Sequence, residues 1–546
     1  MRGGRAGYSG HVGQAGRETG VSDISVRPAA GAPRGDAAAG SASRRLIPRT
    51  PPGIIITAAT AFGLGLRLYQ LARPGHLLGA TEYDDGADFG SALRLVSGAI
   101  PYRDFVTVQP PGMTVLMIPA ALLSKLTGTA WAMAAARILT VLASAAGVAL
   151  GGLLVRHRGV PAVIVTCGIL AVYPGSVQSA HTVLLEPWLA LGCLAGAVAV
   201  FDGDQLADGR RLAWGGAALG FAGAIKVWAI IPVAVILALS LPRPRRAARF
   251  LAGVAAGFAV PVLPFAVASP RGIYDGVIVA QLTRTDLRIP LSFRIQEMTG
   301  LTAAIPSGAV LAVAAVLAVA LIVGAFAGAW LLTRRPPPVL DWFAVATAAL
   351  VVAAFLLPDD FYYHYSGFLA PFLALSVALP ASRLLRGGRL ARFSRPATAL
   401  AGLVLIALPL ALPGAENAPT PVYPTAAVGA VIPPGACVLT DQASLLIAID
   451  RFSSDVPGCP LMVDATGTDF VLGHGRNGLT AGSVPAVAAV WRQALGKAEY
   501  VWLTPYNAVR VGWTPALQAY FQSQFVPVNG PWAPLILYVR GRLHHA

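Results

Sequence analysis

A chain of 546 residues in which 55% are hydrophobic and only 12% charged is richer in apolar residues than soluble domains, which run near ~45–50% even with glycine counted. Such a chain is a polytopic membrane protein, with a lipid bilayer as its first partner. The net charge of +16 comes almost wholly from arginine, with lysine only at Lys125, Lys226 and Lys497. These arginines fall between apolar runs, the positive-inside pattern, which argues against nucleic acid as a partner.

Residues 1–50 are Gly, Ala, Ser and Arg without apolar periodicity and read as a disordered cytosolic tail. They lack the charged start, apolar core and cleavage site of a secretory signal. The transmembrane domain is expected over 51–413. Residues 52–71 form its first span, about 20 residues of helix, with Arg44, Arg45 and Arg49 holding its start inside. The loop at 73–110 then lies outside, and 111–125, apolar but short and opened by two prolines, suits a helix at the external membrane face. Spans follow at 131–154, 160–172 and 187–201.

Residues 212–241 exceed one span of roughly 20 residues. Two short helices meeting externally at Lys226 keep Arg243, Arg245, Arg246 and Arg249 inside, whereas one helix would invert everything after it; the charge rule favours two. The next span, 250–267, leads to an external loop at 269–305 carrying Arg284, Asp286, Arg288, Arg294 and Glu297. Runs at 306–332, 340–357, 367–379 and 396–412 bring the count to about eleven spans. The N-terminus is expected in the cytosol of a plasma (inner) membrane protein and the C-terminus outside.

From 414 to 546 the composition becomes that of a soluble domain. Strands are expected at 436–441, 499–504 and 535–539, with helices at 444–449, 484–495 and 515–522, a small extracytoplasmic α/β domain. Its cysteines, Cys437 and Cys459, are expected to pair, because an external compartment permits disulfides. Cys167 and Cys193 lie within spans and read as apolar packing.

The densest chemistry lies at 81–121, beside the first span, where Glu82, Asp84, Asp85, Asp88, Arg94, Arg103 and Asp104 cluster. Carboxylates at a bilayer surface are costly unless solvated, paired or used. The pattern is an acidic pair, Asp84-Asp85, then Gly98-Ala99-Ile100-Pro101-Tyr102, then Gln109-Pro110-Pro111-Gly112 opening an apolar helix. It resembles the first external loop of the GT-C glycosyltransferases. That superfamily includes protein O-mannosyltransferases, lipid A aminoarabinose transferases and the arabinosyl- and mannosyltransferases of actinobacterial envelopes. Asp85 stands where Glu is frequent, which leaves open which carboxylate acts. The resemblance is specific over 81–121 and diffuse over the other spans.

It implies a mainly α, GT-C-like bundle that transfers a sugar from a polyprenyl-phosphate-sugar donor to a glycan, lipid or protein acceptor on the external face. Mannose and arabinofuranose both fit, in envelope or cell wall biogenesis. Such transfer needs a base for the acceptor hydroxyl and positive charge for the departing phosphate. Asp84 and Asp85 are the base candidates. Neighbours on a helix do not share a face, so one of them reaches the acceptor, and Asp84 matches the first acidic residue of the family motif.

Lys226 is the first candidate for the phosphate, with Arg103, Arg284, Arg288 and Arg294 as further cations. Gln109, Glu186 and His364 are the other substrate-binding candidates, Glu186 because GT-C relatives often carry a second acidic residue there. The bland readings are headgroup snorkelling for Lys226, a helix-dipole charge for Glu186 and an aromatic belt around His364. A divalent cation is left open by the resemblance, but no His/Asp cluster is dense enough to argue for one. The alternatives are a non-catalytic GT-C-like protein and a transporter or flippase of envelope precursors. Transporters concentrate polar residues mid-membrane and show repeats; here the charges gather externally and no repeat is visible.

Overall fold

The computed structural model describes residues 52–541 apart from 284–287, 301–307, 359, 387–391, 412–420, 424, 474–481 and 483. The expected tail at 1–50 and the candidates Arg284 and Asp286 lie outside the described residues. Among those described, the chain opens with α1 (Pro52–Leu71), then three loop helices: α2 (Asp84–Val96), α3 (Gly112–Leu116) and α4 (Ile118–Thr127). Then come α5 (Thr129–Val155), α6 (Gly159–Val172), the single-turn α7 (Pro174–Gln178) and α8 (Leu185–Val200). A two-residue ribbon, β1 (Phe201–Asp202) with β2 (Gln205–Leu206), turns the chain into α9 (Arg210–Ile225), α10 (Ile230–Ser240) and α11 (Pro244–Ala268). Short helices α12 (Pro270–Tyr274), α13 (Ala280–Thr283) and α14 (Leu291–Thr299) precede α15 (Gly308–Thr333), α16 (Val339–Leu356), α17 (Ser366–Arg386) and α18 (Ser394–Ala411).

Two differences from expectation have simple causes. Within the external loop at 73–110, residues 84–96 form a full helix, α2, whose pattern is masked in the sequence because its buried positions mix Asp85, Gly86, Asp88, Gly90 and Ser91 with Phe89, Ala92 and Leu93. The apolar stretch 111–125 is broken at Met117, since Pro119 has no N–H and its ring obstructs the carbonyl four residues back.

Ion pairs and hydrogen bonds sort the helix ends into two sets. At one end Arg158 meets Asp204 (2.6 Å) and Asp341 (2.7 Å), Arg383 meets Asp341 (3.3 Å), and Arg246 pairs with Asp208. At the other, Lys226, Glu186, His364 and Asp84 converge. The Arg246–Asp208 pair returns the chain after α10 to the end where α9 began. Thus 210–240 is two helices joined at an extended Lys226 (φ −149°, ψ 132°) rather than one.

Six helical stretches among the described residues are long and apolar enough to cross a membrane, and shorter apolar helices accompany them. On α15 the side chains of Val316 and Leu321 are 67% and 73% exposed, in a helix with almost no buried surface. A continuous exposed apolar face of that kind is tolerated in lipid, not in water. The protein is an integral membrane protein.

The C-terminal part holds α19 (Thr425–Val431), β3 (Val438–Thr440), α20 (Ala443–Ala448), α21 (Ala465–Gly473) and α22 (Pro485–Lys497). After them come β4 (Tyr500–Leu503), α23 (Asn507–Arg510), α24 (Pro515–Gln524), β5 (Phe525–Val528) and β6 (Ile536–Arg540). The sheet runs β3-β4-β6-β5, with β3 and β4 parallel and the other pairs antiparallel. Trp491 of α22 and Trp502 of β4 are fully buried. Cys437 and Cys459 are joined by a disulfide across a separation of 22 residues, which restricts the unfolded chain by roughly 3 kcal/mol in the chain-entropy account.

Candidate active site

The site is assembled on α2. Asp84 and Asp85 occupy its first turn, where the helix dipole favours negative charge. Successive residues point about 100° apart around a helix of 3.6 residues per turn, and the two carboxylates have opposite surroundings. Asp85 is fully buried. Its Oδ2 lies 2.9 Å from Arg137 Nη2 and accepts a 2.5 Å bond from Thr182 Oγ1. Arg137 also donates to Thr182 Oγ1 and to the carbonyls of His76 and Leu77. Burial raises the Asp85 carboxyl above its ordinary range, against the pull of Arg137.

Asp84 is 44% exposed and its Oδ2 stands 3.4 Å from His364 Nε2. The other imidazole nitrogen, Nδ1, is 2.9 Å from Glu186 Oε2, and Glu186 Oε1 accepts a 2.7 Å bond from Lys226 Nζ. Lys226 is further faced by the rings of Trp228 and Tyr365, at 3.9 and 4.1 Å. The result is a line of alternating charge-bearing groups, Asp84, His364, Glu186, Lys226, that runs from an open carboxylate into the bundle.

Local sequence explains why these groups meet. The chain must leave helix geometry at Lys226 to reach the 3-10 turn Val227–Ala229, which turns the lysine toward the start of α8. The glycine of the Pro-Pro-Gly element lets α3 approach the end of α9: a methyl group at Gly112 would fall 2.5 Å from the Ala224 carbonyl. The Pro-Tyr element is a tight turn in which Tyr102 takes the left-handed φ of 66°. The Tyr102 hydroxyl donates to the Gln109 carbonyl at 2.5 Å, tying the two motif elements together.

Residues that sequence reasoning did not assign complete the site. Asp88, one turn after Asp84 and buried, has its carboxyl driven far up by burial and by the neighbouring Asp84 and Glu186. Glu82 accepts from the Tyr363 hydroxyl at 2.8 Å and from the Tyr83 amide at 2.9 Å. Burial, then Asp84, pushes Glu82 up to about 7.

The C-terminal part grips the same segment. Gln442 Nε2 and Ser444 Oγ donate to the Glu82 carbonyl (2.9 and 2.7 Å). The Tyr83 hydroxyl donates to Asp464 (2.8 Å), whose carboxyl burial lifts to about 6. Arg510 stacks over the Tyr83 ring at 4.1 Å. Hydrogen-bond partners separated by 360 to 381 residues leave no local signal. Glu82 and Asp88 were visible only as members of the acidic cluster.

Of the predicted residues, Asp84, Glu186, Lys226 and His364 are brought together. Asp85 adjoins them but faces Arg137. Arg103 bonds its neighbour Asp104 (2.8 Å) in the exposed turn after Tyr102. Gln109 contributes its carbonyl to Tyr102, and Arg288 takes a left-handed φ of 50° in the 288–290 connection. Arg294 bonds the carbonyls of Ile289 and Leu356 (2.9 and 3.2 Å) and that of Pro358, fixing α14 to the end of α16. Among the described residues no group of three or more His, Cys, Asp or Glu is arranged to hold a metal ion.

The fold is the polytopic helical bundle that the first-loop resemblance implied, with a small C-terminal sheet. Among solved structures, the fold is shared with ArnT from Cupriavidus metallidurans in the apo state, at 15% identity and a TM-score of 0.56. The same protein bound to undecaprenyl phosphate gives 15% identity and a TM-score of 0.52. In both comparisons 90% of this chain and 98% of the other are covered. No family model and no curated protein matches the sequence.

Proposed function

We propose that this protein is a membrane glycosyltransferase that moves a sugar from a polyprenyl-phosphate donor to an acceptor hydroxyl. The observation that carries this reading is the open Asp84 carboxylate, linked through His364 to the buried Glu186–Lys226 pair. A solved structure of the same fold holds undecaprenyl phosphate, which supports a lipid-phosphate donor.

In this reading Asp84 takes the proton of the acceptor hydroxyl as its oxygen attacks the anomeric carbon. The bond from that carbon to the phosphate oxygen breaks, and the phosphate leaves with the electron pair. Lys226, fixed by Glu186 and two aromatic rings, supplies positive charge for the leaving group. His364, between two carboxylates, orients Asp84; Asp85 holds α2 to α5. The Arg-rich helix ends face the cytosol by the charge rule, so the site and residues 414–546, taken as a separate domain, face outward. Acceptors are glycans, lipids or proteins of the envelope, and the donor sugars proposed are mannose and arabinofuranose.

Purified protein incubated with a panel of polyprenyl-phosphate sugars and envelope acceptors tests this. Transfer from at least one donor, lost in Asp84→Asn, is the expected result. Transfer that survives replacement of both Asp84 and Asp85 would remove the first loop from the chemistry.

A further inference from the structure

A second feature of α2 plays no part in this chemistry. Arg94, in its last turn, stacks its guanidinium on the Phe452 ring at 4.1 Å. Its Nε is buried with no hydrogen-bond partner among the described residues. Burial alone acts on it, lowering it to about 10 with no carboxylate in opposition, so it stays charged at neutral pH. The dipole at a helix C-terminus accounts for a cation there. It does not account for one that borders a cavity whose described lining holds no carboxylate; the enclosed Nε is not the atom a ligand would meet, and the guanidinium's outer edge is.

Arg94 borders a cavity of about 230 Å³ against the C-terminal part, whose wall includes Val438, Arg451, Ser454, Gly458 and Cys459. Among the described residues no carboxylate lines it. Arg451 gives its N–H groups to the carbonyls of Gly429, Ile432, Ile449 and Asp450, neutral acceptors that leave its charge uncancelled. At roughly 30 Å³ per water, the space exceeds the needs of one or two waters. It suits a phosphate or carboxylate with part of the sugar that bears it. Guanidinium donors match such oxyanions in plane, while a stacked face leaves the edge free.

From these observations we infer that this cavity is a subsite for an anionic group, phosphate or carboxylate, carried by the sugar acceptor. This rests on the transferase reading above. Asp84 and Arg94 lie on one helix, ten residues apart, a rise of roughly 15 Å. The helix therefore sets a fixed distance between the hydroxyl that reacts and the anion that is held.

Binding of a hexose 6-phosphate, inorganic phosphate and the neutral hexose to the full-length detergent-purified protein tests the inference. Wild type, Arg94→Met and Arg94→Lys are compared at constant ionic strength. The hexose phosphate should bind wild type, the neutral hexose should not, and Arg94→Met should weaken binding about tenfold to a hundredfold, as loss of charged hydrogen bonds does. Arg94→Lys should recover part of it, which separates loss of charge from misfolding. Equal binding by wild type and Arg94→Met, or none by either, overturns the inference. So does inorganic phosphate binding as tightly as the sugar phosphate, because the site would then read a bare oxyanion.

Sugar transfer measured on the same preparations separates the two readings. Transfer with Arg94-independent binding sinks the subsite alone. Arg94-dependent binding in a protein that transfers nothing sinks the transferase reading and leaves an anion site.

Discussion

Two adjacent aspartates of the same charge are given different surroundings by burial. Asp84 is open and meets one imidazole; Asp85 is enclosed by Arg137 and Thr182. Asp84→Asn keeps size and hydrogen-bonding reach but cannot take a proton, so turnover should fall about 10²–10⁴-fold with the melting temperature unchanged. Asp85→Asn should instead lower the melting temperature, since removing one partner of a buried pair costs about 3–5 kcal/mol. Turnover and thermal unfolding of the two purified variants check this, and a reversed pattern would exchange their roles.

Glu82 gives a pH prediction. Its carboxyl is raised in the folded protein from 4.5 to about 7, so the fold binds that proton more tightly than the unfolded chain does. The associated stability is fully present below 4.5 and is lost as pH rises through about 7. The melting temperature of wild type should therefore decline across that window by an increment that Glu82→Gln lacks. Asp464, raised to about 6, adds to the same decline over its lower part.

Among elements, α2 holds the site together because it touches the bundle on one side and the C-terminal part on the other. Its contact with α20 is made through a glycine: a methyl group at Gly86 would stand 2.2 Å from the Ser444 amide nitrogen. Gly86→Ala should destabilise by about 1–3 kcal/mol, the usual cost of overpacking, and displace the Glu82 carbonyl from Gln442 and Ser444. Gly65→Ala, on an open face of α1 with nothing within 4 Å, should be neutral or slightly stabilising. Thermal unfolding of the two variants distinguishes a packing constraint from a general intolerance of change. Strand β5 is not among the three strands expected from the sequence, and it contains Pro527. It lies at the sheet edge, where a missing N–H is tolerated.

For the molecule as a whole, the alternation of helix ends fixes which loops share a side. Arg103 and Asp202 are both well exposed, at 51% and 76%, and lie at opposite ends of the bundle. Cysteine placed at each and treated with a membrane-impermeant reagent on intact cells should label at Arg103→Cys and not at Asp202→Cys. The native Cys167 and Cys193 are buried and should contribute no background. Labelling of Asp202→Cys alone would invert the proposed orientation, and labelling of both would contradict the alternation of ends.

The sequence by itself determined the apolar helices, the break at Lys226 and the acidic loop, because hydropathy, charge position and the Pro-Pro-Gly and Pro-Tyr elements act locally. It also presented Asp84, Glu186, Lys226 and His364 as separate candidates. Only the tertiary structure decided that these four form one line of contacts while Asp85 turns away. It also decided that Asp464, Arg510, Gln442 and Ser444 brace the loop from the far end of the chain. The physical reason is that a carboxylate's role depends on what surrounds it, and those surroundings come from helices and loops that meet only when the chain folds.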